Sequence, residues 1–417
     1  MTPVTSAAPT PRPAELPTLT GIRFIAAVLV FLAHMSGAYM FTSENINTGL
    51  DRYLGTVGFP ALSFFFMLSG FVLTWSARPG DRPALFWRRR FTKVYPTHFV
   101  AWIAGFALAA VAGQAVAGKE FLPGLFLVQA WFPEYAVVRG VNGPAWSLGA
   151  ELVFYLCFPF LLVLVKRIRA GRLWAWAGAM VLGPAAIAVA AETLLPYQDM
   201  GLSYGWYQFW FVYFLPVSRL FEFVLGMLLA RLVIEGRWIR ISRTAAALTL
   251  VPGYLGTLYL PGSYTLVLPA LIPMALVLGS AAQGDADRRG GFLAGRTMVR
   301  LGELSFAIYV VHMLVAYYGP VDFGTGHQWD TAEAVARIGV WLVLTLVLAW
   351  VLHRFVELPA MQRWSRPRAR QAVPQEPEGT RLRAPGGSHV VAGAPRTAAR
   401  VAPAPAPAPE PAAARHG

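Results

Sequence analysis

The chain of 417 residues is 56% hydrophobic and only 13% charged, which excludes an ordinary soluble domain and indicates an integral membrane protein. Its formal net charge of +14 does not indicate nucleic-acid binding, because most basic residues lie in short segments between apolar runs. The single cysteine, Cys157, excludes an intramolecular disulfide framework.

Ten apolar runs are long enough to span a bilayer as helices. They are residues 21–41, 55–76, 94–117, 145–165, 173–196, 207–234, 244–261, 264–283, 301–320 and 333–356. The first run follows neither a basic leader nor a small-residue cleavage site, so it is typical of a retained helix rather than a signal peptide. The sequence therefore predicts an all-α polytopic membrane protein, a bundle of about ten transmembrane helices.

The basic residues are distributed unevenly between the two sets of connecting segments. One set contains the N-terminus, the 77–93 and 166–172 loops, the next two loops on that side, and the region after Arg354. The other set carries only Arg52, Lys119 and Arg139. Because cytoplasmic loops carry an excess of Lys and Arg, the asymmetry predicts that both termini are cytoplasmic. We expect a multi-pass protein of the bacterial inner (cytoplasmic) membrane.

Three regions follow along the chain. Residues 1–18 predict a flexible N-terminal segment, and residues 19–362 the transmembrane domain. Residues 363–417, rich in Pro, Ala and Arg, predict a disordered cytoplasmic tail. The 118–144 segment holds apolar pieces too short to span, which indicates a re-entrant or surface-lying segment.

Two ionisable residues share one face of the first apolar run. Arg23 and His34 are eleven residues apart, which at about 100° per residue returns to nearly the same helix face after a rise of roughly 16 Å. Ionisable groups in hydrocarbon are costly and are usually retained for function. The alternative is an arginine that extends to the interface and a histidine that bonds a neighbouring helix.

Further polar residues fall into levels when position is converted to depth at 1.5 Å per residue. Glu151 and His312 come out near the level of His34, and a second level lies nearer the predicted cytoplasmic side: Arg23, Ser69, Arg219 and Glu222. Below it is a basic cluster of Arg88, Arg89, Arg90 and Lys93. Such a ladder suits a polyanionic donor, because arginine clusters bind phosphates and a neutral imidazole accepts a proton.

Simpler interpretations remain open for most of these residues. The Arg88–Arg90 cluster is also a topology signal, and Arg219 with Glu222 are spaced to neutralise each other within one helix. Ser69 next to Gly70 is typical of close helix packing, and His312 fits a structural role. No metal site is predicted, because His34, Glu151 and His312 lie on three helices without a ligand-type spacing.

Taken together, these segments resemble the acyltransferase 3 family of ten-helix membrane O-acyltransferases. Arg23 and His34 match its Arg-x10-His signature. The other matching residues are Phe65, Phe66, Ser69 and Gly70, then Trp146, Ser147, Leu148, Glu151, Phe154 and Tyr155, then Arg219, Glu222 and Gly226, then Ser305, Tyr309 and His312, and finally Glu357 and Pro359. Lys93 departs from the pattern by standing where the family has arginine.

The resemblance implies transfer of an acyl group, acetyl or another short chain, from acyl-CoA to a hydroxyl of a carbohydrate or glycosylated acceptor. It implies acyl-CoA as a co-substrate and no permanently bound cofactor. We expect His34 as the general base with Glu151 orienting it or the acceptor, and Arg23, Arg89 and Arg90 as ligands of acyl-CoA. Acceptor-binding or supporting roles are expected for Ser69, Trp146, Ser147, Tyr155, Arg219, Glu222 and His312.

Two other classes of function fit the composition. A transporter of a glycolipid or secondary metabolite would also use ten helices with buried charges, although no paired repeat is evident. A non-catalytic scaffold gives no reason for Arg23 and His34 to share a face. For an acyltransferase the acceptor also stays open, between an envelope glycan or glycolipid reached from outside and a small glycosylated metabolite, such as a macrolide, reached from the cytoplasm.

Overall fold

The computed structural model describes residue 13 and residues 15–364, apart from 79, 115 and 116. Within these residues the chain is helical without a β-strand, and one isolated bridge joins Phe41 to Trp329. The helices are α1 (Pro17–Ser36), α2 (Glu44–Leu54), α3 (Gly58–Trp75), α4 (Pro83–Val111), α5 (Gly118–Leu125), α6 (Tyr135–Arg139), α7 (Trp146–Arg167), α8 (Leu173–Leu194), α9 (Trp206–Phe209), α10 (Pro216–Ile234), α11 (Arg243–Leu248), α12 (Leu250–Tyr259), α13 (Leu268–Ala286), α14 (Arg296–Tyr318), α15 (Thr331–Leu352) and α16 (Leu358–Trp364).

Eight helical stretches of the described chain are long and apolar enough to cross a membrane, so the protein is a multi-pass membrane protein. They are Pro17–Ser36, Glu44–Trp75, Pro83–Val111, Gly143–Arg167, Ala170–Leu194, Gly262–Ala286, Arg296–Tyr318 and Thr331–Trp364. These correspond to eight of the ten predicted runs. The other two, 207–234 and 244–261, are interrupted.

Proline explains both interruptions. In the 207–234 run, a π-helical turn at Trp210–Phe214 ends the first piece, and α10 begins at Pro216, which has no N–H to continue a ladder. In the 244–261 run, α11 ends before Thr249 and Pro252 lies in the first turn of α12. The hydroxyl of Thr249 bonds the carbonyl of Ala246 at 2.6 Å and closes the end of α11.

The prediction of a loop over residues 77–93 is wrong for most of that range. Helix α4 begins at Pro83, eleven residues before the predicted start at 94, so the Arg88–Lys93 cluster projects from a helix. Proline at the first helical position and the good helix propensity of arginine favour this early start. Pro96 lies inside the helix without ending it.

The predicted ends of the transmembrane domain shift by a few residues. Because α1 begins at Pro17 and α16 extends to Trp364, residues 17–18 and 363–364 are helical rather than part of the terminal segments. The rest of the predicted flexible N-terminus, 1–12 and 14, and of the tail, 365–417, lies outside the described residues. In the 118–144 segment α5 and α6 are too short to span.

The backbones of α3 and α10 approach each other very closely where the two helices cross. A Cβ on Gly226 would lie 1.8 Å from the carbonyl oxygen of Met67, and one on Gly70 would lie 1.9 Å from that of Phe223. Only glycine permits such backbone approach, as is common between membrane helices. Helix α1 packs against α14 and α3, and α7 packs against α10 and α4. These contacts place α1, α3, α7 and α14 around one polar interior.

Candidate active site

Three cavities lie in sequence along α7, whose residues from Ser147 to Lys166 cover about 28 Å at 1.5 Å per residue. The arginine cavity, of about 520 Å³, is lined by Phe158, Pro159 and Lys166 of α7. The carboxylate cavity, of about 80 Å³, is lined by Ser147, Leu148, Glu151 and Tyr155. The histidine cavity, of about 300 Å³, begins at Trp146. The series therefore runs nearly the length of one helix that can span the membrane.

The arginine cavity is lined by Arg78, Arg89, Arg90 and Lys166 together with one acid, Asp81. Arg89 forms an ion pair with Asp81, and its side chain is one-third exposed. The guanidinium of Arg90 lies 5.7 Å from the ring centre of Phe86. Arg89 and Arg90, both predicted to bind acyl-CoA, thus line one cavity but have different surroundings. Of these two arginines, only Arg89 forms a described ion pair with a carboxylate.

The carboxylate cavity joins four of the predicted site residues. Arg23 and Glu151 both line it, and Lys93 of α4 enters it as well, within electrostatic range of each. Tyr155, one helical turn from Glu151, lines the same cavity and lies within electrostatic range of that carboxylate, and Ser69 is another polar neighbour of its hydroxyl. The sequence places Lys93 in the basic cluster with Arg88–Arg90 and marks it as a departure from the family pattern, but gives it no role in the site. It nevertheless lines this cavity together with Arg23 and Glu151, and these three residues form a charge cluster.

Glu357 supports that cluster from another helix. It is 3% exposed, bonds the Nδ1 atom of His353 at 2.9 Å and lies within electrostatic range of Lys93. Both residues belong to the π-helical turn His353–Glu357, which packs against α4.

Two histidines from different helices meet in the histidine cavity. His34 lines the cavity, and its Nδ1 atom lies 2.9 Å from the carbonyl oxygen of Val30 and 3.3 Å from Nε2 of His312. His312 is 2% exposed, and its Nδ1 atom lies 2.7 Å from the carbonyl oxygen of Tyr309. The described contacts of His34 therefore use one ring nitrogen, and Nε2 is the atom available to the cavity.

The expected contact of Glu151 with His34 is not among the described contacts. Position along a helix predicts how deep a residue lies in the membrane, but not which helices lie next to it. Helix α1 packs mainly against α14, which brings His312 to His34, whereas Glu151 on α7 faces Arg23 and Lys93 in the adjacent cavity.

Tyr309 and Leu62 separate the two inner cavities, because both line each of them. The Tyr309 hydroxyl donates to the carbonyl oxygen of Pro144 at 2.9 Å, and Ser147 Oγ lies 2.7 Å from that hydroxyl. These bonds fix the wall at the start of α7 and explain how Ser147 contributes to the site.

Aromatic rings form nearly half of the remaining lining of the histidine cavity. Trp146 lies 5.2 Å from Tyr213 and 4.6 Å from Phe214 between ring centres, and both partners come from the π-helical turn before α10. Arg139 lines the cavity too, with its guanidinium 4.8 Å from the ring centre of Tyr317. Sequence reasoning did not select Tyr213 or Arg139, although Arg139 is one of the few basic residues in its set of connecting segments.

Arg219 and Glu222 lie behind this lining rather than in a cavity wall. They form an ion pair at 2.9 Å and are 0% and 1% exposed. Arg219 also donates to Ser63 Oγ at 2.8 Å, and its guanidinium lies 4.7 Å from the ring centre of Tyr213. The pair connects α10 to α3 and supports a ring of the histidine cavity.

The arrangement combines a basic cavity, a charge cluster and a buried imidazole pair inside a multi-pass helical bundle. Arginines in such a cavity can hold phosphates, and an imidazole with one available nitrogen can take a proton from a hydroxyl. These features define a membrane-embedded group-transfer enzyme as the class that the architecture fits.

Comparison with known proteins identifies the family. The acyltransferase 3 family model, described as an acyltransferase domain, matches residues 16–354. The acyltransferase MdmB of Streptomyces mycarofaciens is 36% identical over 373 residues, covering 87% of this chain and 96% of MdmB. The chain belongs to the acyltransferase 3 family, and the protein is a membrane acyltransferase.

Other relatives are more distant. Nodulation protein 10 of Rhizobium leguminosarum bv. viciae is 27% identical, over 73% of this chain and 82% of that protein. The peptidoglycan O-acetyltransferase OatA of Listeria monocytogenes is 21% identical, over 82% of this chain and 55% of OatA. No solved structure matches the chain.

Proposed function

We propose that the protein transfers a short acyl group from acyl-CoA to a hydroxyl of a carbohydrate or glycosylated acceptor. The observation that carries this proposal is the position of His34, which faces a 300 Å³ cavity beyond a charge cluster and an arginine cavity. The similarity to the acyltransferase MdmB supports acyl transfer, and the similarity to the peptidoglycan O-acetyltransferase OatA supports a hydroxyl acceptor.

The donor would enter through the arginine cavity. Its phosphates would contact Arg90 and Lys166 first, because Arg89 must leave Asp81 to take part. The pantetheine arm would pass Lys93 and Arg23 in the carboxylate cavity. An elongated donor suits this path, since α7 covers about 28 Å between Lys166 and Ser147.

The acceptor would occupy the histidine cavity, where Trp146 and Tyr213 offer ring faces for a sugar. The thioester would reach the histidine cavity past the side chain of Leu62, since hydrogen bonds hold Tyr309 in place. His34 Nε2 then removes the acceptor hydroxyl proton as the oxygen attacks the thioester carbonyl carbon. A carbon–oxygen bond forms, the carbon–sulfur bond breaks, and the proton passes from His34 to the CoA thiolate. The products are the acylated acceptor and CoA.

The test is acetyl transfer by the purified protein in nanodiscs. We expect acetyl-CoA to bind, and radiolabelled acetyl to reach one of three probes: soluble muropeptides, exopolysaccharide oligomers or a glycosylated macrolide. The His34→Ala variant should bind acetyl-CoA normally and lose about 10²–10⁴-fold in turnover. A folded His34→Ala protein with normal turnover, or a wild-type protein that does not bind acetyl-CoA, would refute the proposal. Uptake of a probe into proteoliposomes without transfer would favour a transporter.

We also propose ten crossings with both termini in the cytoplasm of a bacterial inner membrane. Helix α10 and the α11–α12 pair would supply the two crossings beyond the eight apolar stretches, and the basic residues support the orientation. Single cysteines at Lys119 and Arg240 in a Cys157→Ser background test this in intact cells. An impermeant maleimide should label position 119 and not position 240, whereas eight crossings expose both.

A further inference from the structure

The hydrogen bond between His312 and the Tyr309 carbonyl determines which ring nitrogen of His312 carries a hydrogen. A carbonyl oxygen only accepts, so Nδ1 of His312, 2.7 Å from the Tyr309 carbonyl oxygen, must carry a hydrogen. In the neutral ring the Nε2 atom then has no hydrogen and acts as an acceptor. This acceptor lies 3.3 Å from Nδ1 of His34.

The same reasoning assigns the tautomer of His34. Its Nδ1 atom faces two acceptors, the Val30 carbonyl oxygen at 2.9 Å and Nε2 of His312 at 3.3 Å. A hydrogen on Nδ1 can be shared between these two acceptors, whereas a lone pair on Nδ1 would be repelled by the lone pairs of both. His34 then carries its free lone pair on Nε2, the nitrogen that a general base needs in the cavity.

A contact with helix α15 fixes the backbone position of His312. The indole N–H of Trp341, which is fully buried, donates to the His312 carbonyl oxygen at 2.7 Å. The ring of Trp341 also lies 4.5 Å from that of Phe31, on the same helix as His34. Helices α1, α14 and α15 are thereby joined at the histidine pair.

We propose that His312 is a positioning residue that holds His34 in the Nδ1–H tautomer and accepts a stronger hydrogen bond when His34 becomes protonated. This rests on the proposed function of His34 as the base. The pair resembles the base and orienting partner of a hydrolytic triad, with a neutral imidazole in place of a carboxylate.

Two variants of similar size separate this role from packing. His312→Phe keeps a planar ring without an acceptor, and His312→Gln places an amide oxygen near the position of Nε2. We expect His312→Phe to lower kcat by about 10–10²-fold, less than loss of a triad carboxylate, because the Val30 carbonyl alone keeps only part of the His34 population in the Nδ1–H tautomer. His312→Gln should retain turnover within about threefold of wild type, and neither variant should change acetyl-CoA affinity.

The matched control is His98→Phe. His98 is also a fully buried membrane histidine, bonded to the Gly124 carbonyl oxygen at 2.9 Å, but it lines none of the three cavities. Nitrogen-15 NMR of histidine-labelled protein provides a readout that does not depend on turnover. His34, assigned by comparison with His34→Ala, should show a single Nδ1–H tautomer in wild type and His98→Phe, and a mixture in His312→Phe.

Three results would overturn the proposal: wild-type kcat in His312→Phe, equal losses in His312→Phe and His312→Gln, or an unchanged His34 tautomer in His312→Phe. Failure of the proposed function looks different, because the wild-type protein would then not bind acetyl-CoA or transfer its acetyl group. The NMR measurement still decides the histidine pairing in that case.

Discussion

Removing Glu222 should destabilise the protein more than removing Arg219. Arg219 is 0% exposed and Glu222 1%, and the two form an ion pair at 2.9 Å, so neither charge is solvated once its partner is lost. Arginine stays protonated in proteins, whereas a carboxyl group escapes the penalty by taking up a proton. Glu222→Met should therefore cost about 3–5 kcal/mol, and Arg219→Met less.

The double variant distinguishes a structural pair from a substrate-binding one. With both charges replaced by apolar side chains, most of the lost stability should return, because no uncompensated charge remains between α3 and α10. Loss of the Ser63 hydrogen bond and of the contact with Tyr213 limits this recovery. If the pair only supports the fold, the affinity for acetyl-CoA stays at the wild-type value in the double variant.

Thermal unfolding of the purified protein, followed by intrinsic tryptophan fluorescence, measures the effect. A loss of 3–5 kcal/mol corresponds to a drop in Tm of roughly 5 °C for a chain of this size. The matched control is Glu333→Met, which breaks the exposed Arg337–Glu333 pair at 2.8 Å and should change stability by less than about 1 kcal/mol. Wild-type stability of Glu222→Met, or a double variant as unstable as the sum of both single variants, would refute the reasoning.

Three further predictions concern the cavities and the helix crossing. Arg90→Ala should weaken acetyl-CoA binding, measured by calorimetry, more than Arg89→Ala, because Arg89 is already paired with Asp81. The kinetic losses of Glu151→Gln and His34→Ala should multiply in the double variant, since the two residues line separate cavities. Gly226→Leu should abolish monodisperse protein in size-exclusion chromatography, because its Cβ would overlap the backbone of α3.

Each of these has a contradicting result. Equal dissociation constants for the two arginine variants would remove the preference for Arg90 in donor binding. A double variant no slower than His34→Ala would show that Glu151 acts through His34 after all. Monodisperse Gly226→Leu protein would mean that α3 and α10 can separate without loss of the fold, and Gly49→Leu, at an open position, is its control.

The sequence predicted the helical class and eight of the spans because length and apolar composition alone determine those features. It did not locate the early start of α4 or the breaks before Pro216 and Pro252, because there proline and charged residues compete with hydropathy. Converting position to depth gave levels along the membrane normal. Depth along the membrane normal does not show which helices are neighbours within the membrane plane. For that reason the sequence predicts Glu151 as the partner of His34, whereas the residue that lies beside His34 is His312.

The site was predictable where a residue is chemically unusual for its surroundings. An arginine and a histidine inside an apolar run attract notice from sequence alone, as Arg23 and His34 did. Tyr213 and Tyr309 are not chemically unusual in this way, because aromatic residues are frequent in any membrane helix, and Tyr309 stands out only as a residue that matches the family pattern. Their contribution depends on a π-helical turn and on contacts between helices that are distant in the chain.

The thin partition formed by Leu62 and Tyr309 has an electrical consequence. Cavities lie on both sides of it, and wherever water fills them a voltage across the membrane falls mainly over these two side chains and not over the full bilayer thickness. A membrane potential acts on a moving charge with about 2.3 kcal/mol per elementary charge for each 100 mV. A proton gained by His34 lies beside that concentrated field, so the rate of acyl transfer in an energised membrane should depend on its polarisation.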